Sequence, residues 1–153
     1  MNDLSKHILL KFDEINRYET PSNFDHKNLE HRVMVLLSDL ESHFGTRFKI
    51  DNHVQDASFY GDIIIPAALV NDPVPSCHYS IRISNFGSMA TFTFEDSYSD
   101  VNRKKFIDML QKHHFIYIAS DDLEEEYDGQ FKKFNEILGG PQPSWWIRYF
   151  DYL

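Results

Sequence analysis

Residues able to do chemistry are plentiful in this chain, and their spacing decides what they can do. There are eight histidines. His26 and His31 are five apart, which does not bring them onto one helical face as the i, i+4 zinc spacing does. His113 and His114 are adjacent, and adjacent side chains diverge on a helix. Cys77-His78 joins a nucleophile type to a base type, yet neighbours on a strand point to opposite faces, so the dipeptide makes no close pair there. Glu95-Asp96 could serve as general acid and base, but it falls where a strand meets a turn, the usual place for solvated charges. Gly139-Gly140 follows a helical stretch and precedes Pro141, the reverse of a phosphate-cradling loop that opens a helix. The chain also lacks a Gly-x-Ser-x-Gly elbow, a paired-cysteine zinc pattern and a phosphate-binding lysine loop. The expectation is a chain that is not an enzyme and needs no cofactor. A small cytosolic hydrolase or nuclease assembled from distant histidines is the alternative.

The densest charge is Asp121-Asp122-Leu123-Glu124-Glu125-Glu126-Tyr127-Asp128, six carboxylates in eight positions. Leu123 and Tyr127 are four apart, so on a helical turn they would anchor the segment while the acids face outward. It lacks the alternating acid spacing and central glycine of an EF-hand loop, so no metal is expected. Such carboxylates either form a solvated face or meet Lys and Arg on a partner and speed association.

The second dense feature is the aromatic block Trp145-Trp146-Ile147-Arg148-Tyr149-Phe150-Asp151-Tyr152. Rings of this size each remove roughly 150–250 Å² from water when buried, so this block must dock. It either closes the core or forms part of a recognition surface. Consecutive tryptophans cannot face the same way, so at most one packs inward, leaving Trp146 and Arg148 as candidate interface residues of the types enriched in hot spots.

Charge points to the kind of partner. Of the net −9, residues 51–130 contribute 14 acids against 5 bases, while residues 1–50 hold 8 acids and 7 bases. Phosphate affinity comes from Lys and Arg, so nucleic acid is a poor match and a basic protein a better one. The start of the chain shows no signal-peptide pattern and no apolar run reaches bilayer length, which predicts no membrane association and a cytoplasmic location. Cys77 is the single cysteine, so no internal disulfide can form.

The elements that must position these residues follow from periodicity. The whole chain, 1–153, reads as one globular domain. Helical spacing covers about Asp3–Tyr18, with Leu4, Ile8, Leu9, Phe12 and Ile15 inward, and about Lys27–Phe44 before Gly45. The short connection between them predicts an antiparallel helix pair. Alternation then predicts strands at Arg47–Val54, Ala57–Ile65, Cys77–Ser84 and Met89–Glu95. A helix from Ser99 or Asp100 to His114, a strand Phe115–Ile118 and a helix Gln130–Leu138 complete the order. The expected class is α+β: an antiparallel sheet of about four to six strands, with the helix pair and further helices packed on one face.

Phe115-Ile116-Tyr117-Ile118, then Asp122-Leu123-Glu124-Glu125-Glu126-Tyr127-Asp128-Gly129, then Trp145 to Leu153 resemble small immunity proteins of bacterial contact-dependent growth inhibition and polymorphic-toxin systems. The likeness spans roughly the last 40 residues. It implies a cytosolic protein that binds a cognate toxin C-terminal domain, often a basic nuclease, and occludes its active site. The residues then expected at the interface are Asp121, Asp122, Glu124, Glu125, Glu126, Tyr127, Asp128, Trp146 and Arg148. A self-associating adaptor subunit is a further alternative.

Overall fold

The computed structural model describes residues 1–137 and 142–153. Helix α1 spans Asp3–Lys11 and is capped by Asn2, whose side chain accepts from the Ser5 amide. The expected continuation to Tyr18 does not form. Asp13 turns into the interior, Asn16 adopts φ 62°, and Ile15 is left exposed. Leu4 is also exposed, whereas Leu9 is fully buried. Helix α2 spans His26–Phe44, as its spacing predicts. Asp25 accepts from the Asn28 amide at its start, and Gly45 ends it at φ 64°, a left-handed position that suits a residue without Cβ.

Five strands follow in spatial order: β1 (Lys49–Asp51), β2 (Phe59–Ile64), β3 (Ser80–Ser84), β4 (Met89–Phe92) and β5 (Ile116–Tyr117). β1 to β4 form the antiparallel meander read from the alternation. β3 starts at Ser80 rather than Cys77, because the Cys77 amide donates to the Val74 carbonyl and closes a turn there. β5 pairs with β4 in parallel. The sheet is therefore mixed, since helix α3 (Asp100–Lys112), capped by Ser99, crosses over between the two strands and returns the chain in the same direction. Short helices α4 (Ser120–Leu123), α5 (Phe134–Ile137) and α6 (Trp145–Phe150) complete the described part. The Gly139-Gly140-Pro141 stop and the expected helix end at Leu138 lie outside the described residues.

Both faces of the sheet are covered. Register aligns Ile63, Ile81 and Phe92 across three strands, and they pack in a first core with α2 and α3. Met89 and Ile116 alternate with those positions and pack in a second core with Leu9 of α1 and Trp145, Tyr149 and Phe150 of α6. The α+β class holds, with helices on two faces where one was expected. The first two helices are not a packed pair: α1 belongs to the second core and α2 to the first. Apolar residues of the α1 spacing find their partners at the far end of the chain instead.

Candidate functional site

The acidic run is held from beneath by its own members. Only Ser120–Leu123 is helical, and its first amide group donates to Glu95 Oε2 at 2.8 Å. Leu123 is fully buried and Tyr127 nearly so, four residues on, as their spacing predicts. Asp122 is buried too. Its carboxylate accepts from the Asn2 amide (3.1 Å), Asn2 Nδ2 (2.6 Å) and Ser5 Oγ (2.6 Å), tying the run to the start of α1. Glu125 pairs with the Met1 amino group and Asp128 with Lys6. The Lys6 ammonium, bonding to Asp128, holds that carboxyl below its ordinary value.

Asp121, Glu124 and Glu126 remain. All are exposed and, among the described residues, none forms an ion pair. Their backbone is pinned on the other side as well. Tyr127 N–H donates to the Pro143 carbonyl at 2.7 Å, Trp145 N–H to the Glu125 carbonyl at 3.1 Å, and Glu126 bridges Ser144. The structure thus joins the acidic run to the aromatic block, two segments 17 residues apart with no shared spacing in the sequence.

Beneath this junction lies a polar network. Asp13 Oδ1 accepts from Arg148 Nε at 2.9 Å, and Asp13 Oδ2 accepts from Tyr127 Oη and the Gln130 amide, each at 2.6 Å. Both charged side chains have zero exposure. Arg148 Nη2 donates to the Glu14 carbonyl at 3.2 Å, and the guanidinium lies 4.7–5.9 Å from the rings of Phe86, Phe131, Phe134 and Tyr149. Nη1 has no hydrogen-bond acceptor among the described residues, and these rings lie about the guanidinium that carries it. Gly129 is required here, because a Cβ would strike Asp13 Oδ2 and the Tyr127 ring. Burial, then the Asp13 carboxylate, pushes the Tyr127 phenol far above its usual value, so it stays a donor.

These contacts sort the nine expected interface residues. Asp122, Tyr127 and Arg148 are corrected from surface positions to internal ones, because each is buried and hydrogen-bonded within the chain. Asp121, Glu124 and Glu126 are free and outward. Glu125 and Asp128 are outward but paired within the chain. Trp146 is half-buried, with Arg82 stacked 5.7 Å from its ring centre, while Trp145 is fully buried. One tryptophan in and one partly out is what adjacency on a helix requires. Asp13, Ser5 and Asn2 carry the support of this surface and were missed, because an isolated acid or small polar residue has no periodicity to betray an inward role.

Several other chemical groups among the described residues are engaged in contacts between elements. Glu95 accepts from both Tyr117 Oη and the Ser120 amide, and burial followed by Glu95 keeps the Tyr117 phenol protonated. The cleft they share, ≈ 380 Å³ and also lined by Asp96, Arg103 and Asp121, therefore offers no free base or nucleophile among its Glu95–Tyr117 pair. Glu95 links the turn to α4 instead of lying solvated. Cys77 and His78 sit in the loop before β3, in place of the expected strand. His113 Nε2 meets Asp39 Oδ2 at 2.7 Å, tying α3 to α2. Among the described residues no three His, Cys, Asp or Glu side chains gather in a way that could hold a metal, and no helix is long and apolar enough to cross a membrane.

No known protein family, curated protein or solved structure matches this chain.

Proposed function

We propose that this chain is a non-enzymatic immunity protein that neutralises a cognate bacterial toxin domain, a basic nuclease by charge, by covering its active site. The observation that carries the reading is the fixed outward set Asp121, Glu124 and Glu126. A flexible acidic tail pays ordering entropy when it binds. These three carboxylates ride on a backbone already held by Leu123, Asp122, Tyr127 and the strand-like bridge to Ser144, so little of that cost remains. Their charges are not neutralised inside the chain, and a net −9 extends the attraction to a basic surface. Half-buried Trp146, beside Arg82, supplies an aromatic edge for the same partner.

The test begins with recovery of the partner on tagged protein from its native bacterium at low and moderate salt. A stoichiometric basic protein is expected, weakened by salt, whose toxicity on expression is relieved by this chain. The triple change Asp121→Lys, Glu124→Lys and Glu126→Lys should slow association at least tenfold. Unchanged rate and affinity for that partner would remove these residues from the interface. Growth rescue by neither form would sink the immunity reading itself.

A further inference from the structure

Helix α4 carries Asp121 and runs into Glu124, yet its own sequence does not cap it. The N-cap position is Ala119, whose extended backbone (φ −63°, ψ 140°) suits a capping residue but whose methyl group accepts no hydrogen bond. A helix of four residues has little else to hold its start. The missing acceptor comes from 25 residues earlier in the chain: Glu95 Oε2 accepts from the Ser120 amide at 2.8 Å. The other carboxylate oxygen is fixed as well, because Tyr117 Oη of β5 donates to Oε1. Asp122 is held from the α1 side, Leu123 packs in the second core, and Glu126 bridges Ser144. Glu95 holds the leading end of the same segment, and Asp121 lines the cleft beside it.

We propose that Glu95 is a positioning residue for the outward acids: it caps α4 in place of Ala119 and thereby sets the direction in which Asp121 and Glu124 meet the partner. This role rests on the toxin-binding reading of those carboxylates. Long-range attraction by the Glu95 charge is the competing account of any effect on a basic partner. The two separate at Ala119, where a neutral capping side chain restores the cap without restoring the charge. The N-cap backbone there is already extended, so such a side chain needs no rearrangement of the chain to act.

Amide exchange on the full chain is read first at Asp122 and Glu124, whose N–H groups donate to the Ala119 and Ser120 carbonyls within the turn. Glu95→Ala is expected to speed both by about fivefold, the effect of losing one cap, with an unchanged far-UV CD spectrum. Adding Ala119→Ser, or Ala119→Asn as a second probe, should return both rates to within about twofold of the original. Stopped-flow association with the basic protein recovered on the tagged chain is read next. Glu95→Ala should slow it about threefold, and either substitution at Ala119 should restore it although the charge stays missing. Exchange unaltered by Glu95→Ala, or slowed association that neither Ala119 variant restores, would overturn the proposal. Exchange is read on the chain alone, so failure there is distinct from failure of the triple charge reversal, which strikes the toxin-binding surface itself.

Discussion

The two faces of the sheet are built on different principles. The face under α2 and α3 is packed by aliphatic and aromatic side chains from contiguous periodic segments, among them Leu29, Val33, Leu36, Leu40, Ile81, Ile83 and Phe106. The opposite face is assembled from pieces far apart in the chain, residues 1–18, 86–89, 116–134 and 145–150, and its apolar members surround directional polar bonds. Apolar packing tolerates exchange of similar volumes, whereas a buried charge pair tolerates little. The difference teaches where a surface can be held rigidly. The outward acids belong to the second region, where hydrogen bonds fix orientation as well as distance.

Breaking the polar region should cost most. Arg148→Ala leaves the buried Asp13 carboxyl without its counter-ion and opens a cavity among four rings; a loss of about 3–5 kcal/mol is expected by urea denaturation. Replacing both partners, Asp13→Asn with Arg148→Met, should cost less than the sum of the two single changes, a non-additivity that an apolar pair would not show in the same sense. Leu36→Ala, at zero exposure in the apolar region, should cost about 3 kcal/mol, and should leave amide exchange in residues 120–128 unaltered below the global unfolding limit. An effect on those amides equal to that of Arg148→Ala would show that the two regions are one energetic unit.

Asp122→Ala sharpens the comparison further. It strips acceptors from Asn2 and Ser5, so a loss of about 1–3 kcal/mol is expected together with faster exchange in α1. The smallest effect belongs to the exposed pair of Lys6 and Asp128. Because the Asp128 carboxyl is held below its ordinary value, its contribution is fully present above the unfolded value of about 3.9 and drains away as pH falls through the lower folded value. Lys6→Ala should remove that acid-range component. At neutral pH it should cost only a few tenths of a kcal/mol, because both partners are substantially solvated.

The first region was readable because apolar residues there recur along the sequence with the period of the backbone. The α2 pattern Leu29, Val33, Leu36, Leu37 and Leu40 places the helix within a residue or two, and alternation in β2, β3 and β4 places their strands. The same logic failed at α1, where Ile15 continues the spacing but Asp13 has a stronger reason to leave the helix. It failed again for Arg148, whose residue type suggests a surface anchor although its charge is answered inside. Residue types near a site were legible; the partner of each polar group was not.

Local cause in the chain accounts for the capped helices, the alternating strands, the Leu123–Tyr127 anchor of the acidic turn and an aromatic block that has to be buried. Spacing of side chains along one backbone contains that information. Tertiary structure alone decided that the aromatic block docks against α1, that β5 runs parallel to β4, and that of six neighbouring carboxylates one is buried, two are paired and three face outward. A carboxylate costs several kcal/mol to bury without donors and little to leave in water. Its fate therefore rests on donors brought from Asn2, Ser5 and Lys6, more than a hundred residues away along the chain.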